Sequence, residues 1–182
     1  IECLNAEHIL GEADRRQLTR FSDVIARIVA EAATEGHFAL KVGANHLEIL
    51  GESGLLDLWR DRLHCIHLER LDRLAQAISW EIALQSGQWT SISTPAPTAP
   101  VFRPARIRAA LEAFADGNRQ FDLFFGCNGL RPQHVLYEDL ETAPADQVAR
   151  LLAGIGLPPL RIRPELVPIR RQRGALNEAW RQ

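Results

Sequence analysis

Residues 63–89 constrain this chain more than any other stretch. LHCIHL, an apolar-to-neutral run, predicts a short buried strand; a tight polar turn over 69–72 follows, then a long helical pattern with no Gly or Pro until Gly87. A strand that runs straight into a helix start is where α/β proteins bind anions, because the first helical N–H groups and the positive dipole end point out of the sheet edge. Arg70, Arg73, Gln76 and Ser79 recur at i, i+3 and fall along one polar stripe. Leu71, Leu74, Ile78 and Ile82 form a separate apolar stripe, expected to pack the helix on the sheet.

A length of 182 residues suffices for one domain with a sizeable core and falls short of two, so residues 1–182 are expected to form a single domain. A formal charge of −2 gives no electrostatic case for nucleic acid or an anionic membrane as partner. Lys41 is the only lysine; every other basic residue bar the histidines is arginine. The three cysteines, Cys3, Cys65 and Cys127, form no CxxC, which argues against a disulfide framework or zinc knuckle and makes a reducing cytoplasm the expected location. His64, Cys65 and His67 look like a ligand cluster, but on a strand His64 points away from both Cys65 and His67, so no metal site is expected there. No apolar run reaches membrane-span length and no signal peptide is evident. With no methionine and an opening at Ile1, the chain is expected to be incomplete at its N-terminus; a homo-oligomer stays open.

In chain order, residues 1–9 are mixed, with Cys3, Leu4 and Ile9 as apolar contacts. Residues 13–34 predict an amphipathic helix, with Leu18, Phe21, Ile25, Ile28 and Val29 at helical spacing and Gly36 as its stop. HFALKV at 37–42 alternates and predicts a strand, with Lys41 on the face opposite Phe38, Leu40 and Val42, near the end where open α/β sheets carry ligands. Helices are predicted over 45–50 and 54–62. Four prolines among Ser, Thr and Ala make 90–104 a loop of lid or linker length. Residues 106–125 predict a helix broken near Gly117, whose Phe114, Phe121, Leu123, Phe124 and Phe125 read as core. A strand over 134–137 and a helix over 144–155 follow. The tail turns basic at Arg170, Arg171 and Arg173 and ends on a short helix with Leu176 and Trp180. Three strands, each followed by a helix, predict an α/β fold with a mostly parallel sheet flanked by helices.

There is no HExxH, GxSxG, triad spacing or complete Walker loop, which removes the motif basis for hydrolase and metalloenzyme readings. What remains is an anion site: Arg70 and Ser79 at the strand–helix junction, Lys41 on a neighbouring strand, and Arg170, Arg171 and Arg173 in the tail. An arginine fork, a hydroxyl and a point charge together suit a phosphorylated nucleotide. The alternative for Arg70 and Arg73 is a solvated helix face.

LERLDRLAQAISWEIALQSGQW resembles the signature of the trehalose 2-sulfotransferase family of bacterial sulfotransferases, in which an Arg-rich turn precedes an aspartate, Gln-Ala-x-Ser and a downstream Gly-x-Trp. IECLN at 1–5 is similar to that family's Pro-x-Glu-aromatic-Phe-Asn segment, FALK at 38–41 to its Phe-Gly-x-Lys strand, and VLYEDL at 135–140 to its Val-x-Tyr-Glu-Asp-Leu block. RQR at 171–173 with NEAW at 177–180 resembles its C-terminal end, so the likeness runs through the chain in order.

The resemblance implies a P-loop-like, three-layer α/β/α fold that uses 3′-phosphoadenosine 5′-phosphosulfate (PAPS), without a metal, to sulfate a hydroxyl of a small-molecule carbohydrate or glycolipid acceptor. It implies that Ser79 and Arg70 hold the 3′-phosphate, with Arg171 and Arg173 as further cofactor contacts. Family spacing places an arginine eight residues before the serine; here that position is Leu71, and Arg70 lies one further back. Glu2 matches the family's proposed base, Lys41 the lysine that stabilises the leaving group, and Gly43 stands where cytosolic sulfotransferases carry a histidine base. The loop for the 5′-phosphosulfate is expected upstream of Ile1. Two alternatives accompany this reading: a degenerate relative that binds nucleotide without transfer, and a P-loop kinase-like phosphotransferase.

Overall fold

The computed structural model describes residues 2–3, 20–34, 36–94, 99–162 and 174–182, leaving the side chains of residues 2, 3, 21, 22 and 32 undescribed. The described residues divide into two compact units, one within Ile1–Leu63 and Arg119–Gly129, the other within His64–Asn118 and Leu130–Gln182.

In the first unit, strand β1 (Glu2–Cys3) pairs in parallel with β2 (Leu40–Lys41), Glu2 opposite Leu40 and Cys3 opposite Lys41. A parallel pair needs a crossover, and helix α1 (Phe21–Ala32) lies in it. Its Val24, Ile25 and Ile28 are buried with Leu55, and Val29, Leu50 and Trp59 pack around them. Each such aliphatic side chain contributes about 1.5–3 kcal/mol by leaving water. A 3₁₀ turn at Ala44–His46, helices α2 (Leu47–Glu52) and α3 (Leu55–Trp59), and a second 3₁₀ turn at Arg60–Arg62 complete the run to residue 63.

The second unit carries the stretch that dominates the sequence. Strand β3 (Ile66–Glu69) pairs in parallel with β4 (Gln133–Leu136), matching His67 with His134 and Glu69 with Leu136. Helix α4 (Arg73–Ser86) begins where the Asp72 carboxylate accepts from the Ala75 N–H, and it ends at Gly87, whose φ of 69° only glycine adopts readily. Helix α5 (Pro104–Cys127), which belongs to this unit as far as Asn118, packs Ile107 and Ala110 on Ala77 and Ile78 of α4. Helices α6 (Tyr137–Thr142), α7 (Pro144–Gly154) and α8 (Ala175–Arg181) follow, and Trp180 packs on the α4–α5 core.

This is an α/β chain with parallel strand pairs, as expected, but several expectations need correction. The expected sheet of three strands is instead two pairs among the described residues, so β3 has β4 as its neighbour and not the strand of Lys41. The strand predicted over LHCIHL starts only at Ile66 and runs on through Glu69, and β2 covers only Leu40–Lys41. Tyr137 opens a helix rather than closing a strand.

No break occurs at Gly117: α5 runs unbroken from 104 to 127. One helical glycine costs about 1 kcal/mol, too little to interrupt a helix anchored by buried Ile107 and Ala110. On α4, Ile78 is buried and Ile82 packs beside it, but Leu71 is 67% and Leu74 37% exposed. The buried positions are mostly small, Ala75, Ala77, Ala83 and Ser86, together with Glu81. Small side chains let the helix approach its neighbours closely, which hydrophobic periodicity does not register. Residues 13–19 of the predicted first helix lie outside the described residues.

Between 90 and 104 the described residues contain no helix or strand before Pro104. The returning end of this segment is tied to α4 by one side chain. Gln85 Nε2 donates to the Val101 carbonyl at 2.9 Å and to buried Glu81 at 2.8 Å, and its Oε1 accepts from the Val101 N–H at 2.7 Å. Gln85→Ala is expected to cost about 1–3 kcal/mol and to speed proteolysis next to Val101. Unchanged urea stability together with an unchanged cleavage rate would show that this tether holds nothing.

Candidate functional site

The junction between β3 and α4 is built around a carboxylate that arrives from the neighbouring strand. Glu138 lies two residues beyond the end of β4 and bonds the turn two residues beyond the end of β3. Its Oε2 accepts from the Leu71 N–H at 3.2 Å and its Oε1 from the Asp72 N–H at 3.0 Å. Burial, the largest single influence, pushes the Glu138 carboxyl up, but the N–H groups of Asp72, Leu71 and Glu138 itself, with nearby Arg70, outweigh it together and leave it below its ordinary value.

Asp72 is held in turn by α8: Arg181 donates to its Oδ2 at 2.6 Å. That bond, first among the causes, lowers the Asp72 carboxyl below its ordinary value against partial desolvation, helped by the Ala75 N–H and the charges of Arg181 and Arg70. One turn earlier on α8, Asn177 Nδ2 donates to Ser79 Oγ at 3.2 Å. Of the polar stripe, Ser79 meets the C-terminal helix, while Arg73 is exposed. Arg70 rests over the Tyr137 ring, its Cζ 4.6 Å from the ring centroid.

The predicted site residues divide between the two units. Glu2 and Lys41 stand on paired strands of the first unit, but register sets Lys41 opposite Cys3 and Glu2 opposite Leu40; Lys41 is exposed. Arg70 and Ser79 belong to the second unit. Arg171 and Arg173, with Arg170, lie outside the described residues. Tyr137, Glu138, Asn177 and Arg181 escaped the search for site residues although three of them sit in family-like blocks. Those blocks identified them by resemblance and gave no hint of what they touch.

Anion binding at this junction is supported by side chains rather than by backbone. The turn N–H groups of Leu71 and Asp72 already serve Glu138. Arg70 keeps a buried Nε with no hydrogen-bond partner among the described residues. Ser79 Oγ accepts from Asn177, which leaves its own O–H to donate. A phosphate oxygen suits both groups. Burial pushes the Cys65 thiol above its ordinary value, which disfavours the thiolate.

The fold is of the α/β class, and a family model for sulfotransferases, a class of transferase, matches residues 48–182, well over half of the chain. That model is the Stf0 sulphotransferase, the trehalose 2-sulfotransferase domain, and the chain belongs to this family. No curated protein matches the chain. Among the described residues, no helix is long and apolar enough to cross a membrane.

Both carboxyls are lowered in the folded chain, so their stabilisation is present above the unfolded values, near pH 4, and is lost as pH falls through the folded ones. Glu138→Ala is expected to cost about 1–2 kcal/mol at neutral pH, with the gap from the parent closing as pH drops below about 4. A gap of constant size down to pH 3, measured by urea unfolding, would rule out a charged clamp.

Proposed function

We propose that the protein transfers the sulfo group of PAPS to a hydroxyl of a carbohydrate or glycolipid acceptor. Family membership over residues 48–182, a span that includes Arg70 and Ser79, carries this reading. In it, residues 1–182 form one cytoplasmic, P-loop-like, three-layer α/β/α domain. Arg70 and Ser79 grip the 3′-phosphate, and Arg171 and Arg173 add charge from the tail.

Sulfo transfer requires no covalent enzyme intermediate. The acceptor oxygen attacks sulfur in line, the bond from sulfur to the bridging oxygen breaks, and adenosine 3′,5′-bisphosphate departs with the electron pair. Glu2 takes the acceptor's proton as the new oxygen–sulfur bond forms, and the Lys41 ammonium offsets the charge growing on the bridging oxygen.

A second reading, a relative that binds nucleotide but has lost transfer, is favoured by one observation. The position where family spacing puts arginine is Leu71, whose side chain is exposed and whose N–H is engaged by Glu138.

Adenosine 3′,5′-bisphosphate is expected to bind at least about tenfold more tightly than adenosine 5′-monophosphate, and Ser79→Ala to erase most of that ratio, since a hydrogen bond to a charged group contributes about 1.5–3 kcal/mol. Equal calorimetric affinity for the two nucleotides would sink both readings. Glu2→Gln separates them: turnover should fall by about 10²–10⁴ with nucleotide affinity held. Undiminished turnover removes Glu2 as base, and a parent protein that binds the bisphosphate without ever transferring sulfate supports the second reading.

A further inference from the structure

Strand alternation places His67 and Glu69 on one face of β3, and the register of β4 sets His134 directly opposite His67. One ring nitrogen of each histidine and one carboxylate oxygen of Glu69 lie within 4.8 Å of one another. The two imidazole rings are 5.3 Å apart between centroids, inclined at 61°. His134 Nδ1 is 3.5 Å from Glu69 Oε2. Two donors bound about 2.0–2.1 Å from one tetrahedral ion stand about 3.4 Å apart, so this pair already has the separation of neighbours in one coordination sphere.

We propose that His67, Glu69 and His134 form a binding site for a first-row divalent cation of the zinc class, bridging β3 and β4. Two imidazoles and one carboxylate are the donor set such ions take, and three protein ligands leave outward positions for water. Calcium and magnesium, which prefer oxygen donors, do not suit it. Exposure is graded in the direction an ion needs to enter: His67 is 4% exposed, the Glu69 side chain 26% and the His134 side chain 56%. The inner ligand is held in the unit's interior, while the outer two have room to close by rotamer changes on an ion arriving from solvent. Glu69 is the last residue of β3, adjacent to Arg70, so the ion fixes the strand end that leads into the junction. This inference does not rest on the sulfotransfer reading; it concerns metal binding by the strand pair alone.

The probes are Zn(II) by calorimetry and Co(II) by visible absorption, applied to chelator-treated protein. One equivalent of Zn(II) is expected to bind with micromolar or tighter affinity, to raise Tm, and to displace Co(II) carrying the d–d bands of a nitrogen and oxygen site. His134→Ala, a change at an exposed position, should weaken Zn(II) at least tenfold while leaving the metal-free circular dichroism unchanged, and Glu69→Gln should do likewise. Three results overturn the proposal. They are no saturable binding up to millimolar Zn(II), affinity equal to the parent in both variants, and a cobalt–thiolate charge-transfer band placing the ion on cysteine.

Discussion

Two hydrogen bonds from a turn to one carboxylate decide how the larger unit is put together. β3 and β4 end side by side at Glu69 and Leu136, where the backbone ladder stops. Glu138 then continues it with a side chain, accepting from the N–H groups of Leu71 and Asp72 across 67 and 66 residues of sequence. The arrangement satisfies donors that would otherwise depend on water at a helix start. It also puts a negative charge in the first turn of α6, where the helix dipole favours it.

The clamp also fixes what sort of ligand site the junction is. Helix starts attract anions through free N–H groups, yet here the donors of the turn are spent on Glu138 and that of Ala75 on Asp72. In the proposed reading a phosphate relies on side chains, among them Arg70, which is braced on Tyr137 with a buried Nε unpartnered among the described residues. Arg181, tied to Asp72, keeps that carboxylate neutralised.

Short-range chemistry was legible in the sequence and partner choice was not. The run from Asp72 to Gly87 announces a helix because its caps are local: a carboxylate three residues ahead of the N–H it accepts from, and a glycine able to take positive φ. Leu71 and Leu74 were misassigned because spacing sorts residues onto faces without saying which neighbour each face meets, and alanines proved to be the buried ones. The two-residue β1 is too short to carry any period. His64 lies ahead of β3, so alternation does not govern it, and no rule confined to one strand could bring in His134 from 67 positions away. For the same reason Glu138, Asn177 and Arg181 carried no visible role until register and packing joined them to the junction. Family resemblance reached further than periodicity, since it marked the blocks around Tyr137 and Asn177 without the geometry.

The metal ligands and the anion-binding residues share one strand end, and this links the two proposals physically without making either depend on the other. Glu69 turns its carboxylate toward His134 while the next residue, Arg70, turns its guanidinium toward Tyr137. A divalent ion on the first of these would bridge β3 to β4 at a second point, within the ladder that ends before the Glu138 clamp. Two fixed points on a pair of strands remove a hinge that one leaves open. Strand geometry places both proposed sites at one end of the β3–β4 pair.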